Sequence, residues 1–117
     1  MTMKYKRNLI LYKDYFNDFY SALSSEVAKK TDYVLQIIMT EDRIPIKYFR
    51  HIEGIKDLYE IRIENAGNIY CIFCCLDEGQ IVVLFNGFQK KTQRTPLRQI
   101  KQARKIMNEY FKEKKGE

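Results

Sequence analysis

LYEIRIENAGNIYCIFCCLDEGQIVVLFNGF, running from Leu58 to Phe88, spells three strands and two tight turns. In Leu58 to Glu64 the apolar Tyr59, Ile61 and Ile63 alternate with Glu60, Arg62 and Glu64. A period of two puts the first set on one face of a strand and the second on the other. Asn65-Ala66-Gly67-Asn68 is turn chemistry. Ile69 to Leu76 is an unbroken apolar run, as expected of a strand buried at the centre of a sheet. Asp77-Glu78-Gly79 makes a second tight turn, and Gln80 to Phe88 a third strand. Loops this short predict an antiparallel meander.

Working outward, Lys6 to Tyr12 reads as an opening strand, and Asp14 stands where it can cap a helix. Phe16, Phe19, Tyr20 and Leu23 recur at i, i+3, i+4 and i+7, one buried stripe. Ser24-Ser25 offers a break and a new cap. Val27, Thr31, Val34, Ile37 and Ile38 then form a second stripe ending near Thr40, so the two helices make an antiparallel hairpin. From Glu41 to Lys56 the pattern is irregular; Pro45 excludes a helix interior and Gly54 marks a turn. After the meander, Thr95 as N-cap and Pro96 at the first helical position start a last helix. Its apolar stripe is Leu97, Ile100, Ala103, Met107, Tyr110 and Phe111, and Lys112 to Glu117 is expected to fray.

The predicted order is β-α-α-β-β-β-α. This is an α+β fold, with an antiparallel sheet of about four strands, helices on one face, and the other face partly open around Arg62. The 117 residues fit one domain, 1–117. With 45% hydrophobic side chains a real core is affordable, which excludes a disordered chain. No apolar run approaches the ~18 residues of a membrane span. The basic Met1 to Arg7 is not followed by a secretory h-region, so the expected location is the cytoplasm.

The three cysteines, Cys71, Cys74 and Cys75, are clustered and odd in number, which does not make a disulfide framework. Cys71-x-x-Cys74 has knuckle spacing but no second pair, and His51 is the one histidine. Buried thiols acting as small hydrophobes are the simpler reading, with no metal and no other cofactor expected.

Charge is placed unevenly. Of the net +6, residues 86–117 carry ten Lys/Arg against three acids, while residues 1–85 are at −1. Such asymmetry fits a polyanionic partner or, more plainly, a solvated basic helix face.

At Leu58-Tyr59-Glu60-Ile61-Arg62 the chain resembles the "L-[WY]-E-[IL]-R" strand of phage-derived RelE/HigB-type toxins. Phe88-Gln89-Lys90-Lys91-Thr92-Gln93-Arg94-Thr95-Pro96, followed by Ile100 and Ala103, is similar to the family's "F-x-K-K-[ST]-x-K-T-P-x-x-E-I-x-x-A". The match covers about forty positions, and element order agrees over nearly the whole chain. Two positions depart: Cys71 follows Tyr70 where many members have Arg, and Gln99 replaces an acid. The resemblance implies a toxin of a bacterial type II toxin–antitoxin system that cuts messenger RNA in the ribosomal decoding site without a metal. It also implies a cognate antitoxin, of helix-turn-helix type in the HigB-like branch.

Attack by an RNA 2′-hydroxyl builds negative charge on the phosphate and the leaving oxygen, which fixed cations can stabilise. Arg62, Lys90 and Lys91 are the candidates. Arg62 can grip a phosphate through two bonds or pair across the strand with Glu60 or Glu64. The two lysines leave an extended strand in opposite directions, so one of them faces the site, or both form a solvated strand end. For proton transfer, His51 has a suitable intrinsic pKa, Tyr70 heads the central strand, and Glu60 shares a face with Arg62. His51 is equally an incidental loop residue and Tyr70 a core residue. Thr92, Arg94 and Arg98 are candidates for RNA-backbone contacts, extended by Lys47 and Arg50, and Phe88 for base stacking. These cations are expected to gather where the last strand meets the last helix, facing an uncovered sheet. Two other functions stay open on the same fold: a ParE-like toxin acting on DNA gyrase, favoured by Cys71, and a toxin-like protein that only binds or regulates.

Overall fold

In the computed structural model, which describes residues 5–116, the meander is present with longer strands than the pattern predicts. The elements are β1 (Asn8–Leu11), α1 (Tyr15–Ser21), α2 (Ser25–Thr40), β2 (Phe49–His51), β3 (Leu58–Asn65), β4 (Asn68–Asp77), β5 (Ile81–Lys90) and α3 (Leu97–Lys114). Asn65 pairs with Asn68, so the first turn has two central residues, Ala66 and Gly67. Both take positive φ, 51° and 83°, the twist that suits a two-residue hairpin and that glycine adopts without strain. Met1 to Lys4 and Glu117, parts of the terminal readings above, lie outside the described residues.

The sheet has five strands in the order β1-β5-β4-β3-β2. Two expectations are corrected here. The irregular segment contributes an extra strand, β2, on the outer edge of β3, with Phe49 opposite Ile61. β1 runs parallel to β5, since two helices carry the chain back across the sheet before it pairs.

A third correction concerns the faces. The α+β class holds, but the helices are divided between both sides of the sheet. Phe16 of α1 and Val34, Leu35 and Ile38 of α2 pack on Ile61, Ile63, Ile72, Cys74, Val82 and Leu84. Ala103, Ile106 and Met107 of α3 pack on Leu58, Phe73, Cys75, Val83 and Phe85. The residues of β4 and β5 are apolar on both faces, so both must be covered; alternation in β3 alone had suggested an open side. β3 itself shows why: Glu60, on its polar face, is buried.

Local signals explain most boundaries. The Ser24 hydroxyl accepts the Val27 amide and starts α2. The Arg7 guanidinium donates to the carbonyls of Ile38, Glu41 and Asp42 and so satisfies the C-terminal end of α2. Asp14 occupies the cap position of α1, but its side chain makes no capping bond. α3 begins one residue later than expected, with Pro96 as its cap, because the Thr95 hydroxyl is spent on Glu60. The far end of α3 extends to Lys114 rather than fraying at Lys112. The Lys114 ammonium lies 2.8 and 2.7 Å from the two Asp77 carboxylate oxygens, and Tyr110 donates to Asp77 at 2.7 Å.

Candidate functional site

Glu60, Lys90 and Thr95 meet on the α3 side of the sheet, beyond the point where the helix stops covering it. Glu60 comes from β3, Lys90 ends β5, and Thr95 lies just before α3. The Lys90 ammonium is 3.5 Å from Glu60 Oε1, and both side chains are nearly sealed, 3% and 6% exposed. The Thr95 hydroxyl donates to Glu60 Oε2 at 2.9 Å. A buried carboxylate and ammonium are tolerable only when paired and hydrogen-bonded, and this trio meets that condition. Cys71 on β4 lies beside the pair; burial, then the Glu60 carboxylate, push its thiol up to about 12. It is therefore no nucleophile near neutral pH.

The expected gathering of cations in one hollow is only partly realised. Arg62, with its side chain 11% exposed, donates through Nε to Glu64 at 3.0 Å. It lines a hollow of about 180 Å³ together with Lys30, Lys47, Tyr48 and Glu64. Lys90 and Lys91 line a different hollow of about 420 Å³, between the β3–β4 turn and the end of β5. Lys90, the last residue of β5, is buried, and Lys91, one residue beyond the strand, is exposed. Thr92, Arg94 and Arg98, which follow Lys91 in the chain, are exposed, and the Thr92 hydroxyl donates to the Arg94 carbonyl at 3.2 Å.

The remaining candidates scatter. Tyr70 stands opposite Ile63 and packs with the α2-side core, on the far face from Glu60. His51 is on edge strand β2, its ring 5.1 Å from that of Tyr59 and its Nε2 2.9 Å from the Ile55 carbonyl. Neither ring reaches the Glu60–Lys90 pair. Phe88 is half-buried, stacked on Phe73 at 5.7 Å between centroids, which spends one of its faces on the core. Arg50 is exposed and donates to the Ile46 carbonyl. Lys47 sits 4.9 Å over the Tyr48 ring.

Sequence reasoning missed two things. Lys30 joins Arg62 only because α2 passes the end of β3, which no local pattern announces. Thr95 was assigned to a helix cap because Thr-Pro is a start signal, and the competing carboxylate lies far away in the chain. Among the described residues, no group of three or more His, Cys, Asp or Glu is placed to hold a metal ion, and no helix is long and apolar enough to cross a membrane.

Comparison with known proteins gives one family. Residues 18–108 match the family described as phage derived protein Gp49-like (DUF891). No curated protein matches the chain.

Proposed function

The chain belongs to the phage-derived Gp49-like family, whose members are HigB/RelE-like toxins of toxin–antitoxin systems, and on that premise we propose that it cuts messenger RNA on the ribosome. Family membership implies an antitoxin partner. We assign that partner to the helix-turn-helix class and the reaction to metal-independent attack by a 2′-hydroxyl.

The observation that supports the reading is the exposure of Lys91, Arg94 and Arg98 along the segment that joins β5 to α3 and opens that helix, next in the chain to Lys90 and Thr95 of the buried Glu60 network. In the reaction the 2′-oxygen bonds to phosphorus and the bond to the 5′-oxygen breaks. The products are a 2′,3′-cyclic phosphate and a 5′-hydroxyl. Charge on the phosphate oxygens is met by Lys91 and Arg94, and Arg62 with Lys47 holds the strand further along. The Glu60–Lys90–Thr95 network is sealed, and its part is to hold the end of β5 and the start of α3 in place beneath these cations. Arg98 adds a contact to the RNA backbone, and Thr92, its hydroxyl held by the Arg94 carbonyl, shapes the loop that carries Arg94.

Inducible expression followed by mapping of RNA 5′ ends tests this. The expected result is growth arrest with new 5′-hydroxyl ends inside translated codons. Arrest with intact messages and altered DNA supercoiling would move the protein to the gyrase-directed class. Undisturbed growth would leave a binding or regulatory role.

A further inference from the structure

Two adjoining hollows run along α2 and share Lys47 and Tyr48. The first, about 180 Å³, takes in Lys30, Arg62 and Glu64. The second, about 280 Å³, takes in Tyr33, Ile37, Glu41 and Arg43. Lys30, Tyr33 and Ile37 stand at i, i+3 and i+7, so a single face of α2 supplies one wall. The loop before β2 supplies the other. It is fixed by the Tyr48 amide, which donates to the Pro45 carbonyl at 2.9 Å, and by Arg50 Nε, which donates to the Ile46 carbonyl at 3.2 Å. The groove is therefore formed before anything enters it. Tyr33 is 54% exposed and Ile46, in the same loop, 75%. Apolar surface thus lies open among the cations.

We propose that this groove docks an acidic peptide segment of the partner protein, one with carboxylates on either side of an apolar residue. The proposal rests on the functional reading above for the existence of that partner. Lys30, Lys47 and Arg62 gather at one end and Arg43 stands at the other, against the two carboxylates of Glu41 and Glu64. Arg62 gives its Nε to Glu64, which leaves its terminal nitrogens for an incoming carboxylate. Two turns of helix separate Lys30 from Ile37, about 10 Å. An extended peptide crosses that span in about three residues. A nucleic-acid strand suits the groove less. Lys30 lies over the Tyr33 ring at 5.3 Å and Lys47 over the Tyr48 ring at 4.9 Å, so a face of each ring is already taken by a cation. The two rings meet edge to face, 6.4 Å between centroids, and make no flat platform for a base. Glu41 and Glu64 repel a phosphodiester but can accept the N–H groups of a peptide backbone. A segment seated here covers Lys47 and Arg62 and so denies RNA its hold on them.

The test uses the whole protein and a short synthetic peptide in which Glu residues flank a Leu pair. A peptide with Gln in place of every Glu, and a 2′-O-methyl oligo-U, are the controls. In ¹⁵N-resolved NMR titrations the backbone signals of Lys30, Tyr33, Ile37 and Tyr48 should move with the Glu peptide and stay put with the Gln peptide. Lys30→Gln/Tyr33→Ala should weaken binding about tenfold. Lys101→Gln/Lys105→Gln, at exposed positions on α3, should leave it within about twofold. Tyr33→Ala alone, at its exposed position, carries the test should the first double variant unfold early. An equal loss from the α3 variant, or a Gln peptide that binds as tightly as the Glu peptide, overturns the groove. Larger shifts at Tyr33 and Tyr48 with oligo-U than with the Glu peptide overturn it too and make it a nucleic-acid site. Groove-specific binding of the Glu peptide by a protein that cuts no message supports the groove and sinks the nuclease reading. Messages cut by a protein that ignores the peptide do the reverse.

Discussion

Lys90 and Lys91 are neighbours in the chain with opposite settings: one is sealed against Glu60, the other stands in solvent. The difference predicts different phenotypes. Lys90→Met leaves Glu60 as a buried carboxylate without its cation and should cost about 3–5 kcal/mol in urea unfolding. Lys91→Ala and Arg94→Ala should change stability by less than about 0.5 kcal/mol, yet relieve growth arrest on induction. If Lys90→Met unfolds at the wild-type urea concentration, the buried pair is not holding the site together. The strand alternation around Arg62 was legible in the sequence. Which lysine is buried was not, because the answer depends on a carboxylate two strands away and on a threonine with a competing local role. Tyr70 and His51 were open for the same reason: their chemistry is local, but the face they occupy is set by register.

At the scale of elements, α3 is fastened at both ends by polar contacts to the sheet. Burial raises the Asp77 carboxyl, but bonds from Lys114 and Tyr110 outweigh it and hold the group below its ordinary value. A carboxylate depressed in the folded state stabilises fully above its unfolded pKa, and that contribution is lost as pH falls through the folded value. The C-terminal turns of α3 should therefore loosen only below about pH 4. Asp77→Asn should abolish this acid dependence and cost about 1–3 kcal/mol at neutral pH, read from thermal unfolding at several pH values. On the opposite face, the β4–β5 register shifts between Ile72 and Cys74, and Gly87 lies against α1. A Cβ at Gly87 would stand 2.6 Å from the Phe19 ring. Gly87→Ala should cost about 1–3 kcal/mol by overpacking, and Phe19→Leu in the same chain should recover part of it. The helices and the three long strands were readable from period and turn residues. The short β2 and the parallel pairing of β1 were not, since neither has a periodicity of its own and both exist only because a neighbouring strand offers an edge.

Over the whole molecule, the sheet is a two-sided core, and the proposed site lies at its rim. Apolar residues on both faces of β4 and β5 demand a helix layer on each side, which leaves exposed surface at the strand ends and on the outside of α3. Of the ten basic residues that follow Asn86, all but the buried Lys90 are exposed there. An interface built this way should bind RNA with a steep salt dependence. Removing Lys91 or Arg94 should lower the slope of log K against log salt by about 0.7 each, the value for a contact with a single-stranded phosphate. The most direct check on the central claim is a paired induction of wild type and a Lys91→Ala/Arg94→Ala double variant, with transcriptome-wide sequencing of 5′-hydroxyl RNA ends. Wild type should give ends within coding regions that are absent from the double variant, although the two proteins are equally folded. Identical end maps from both, or none from wild type while growth still stops, would contradict it.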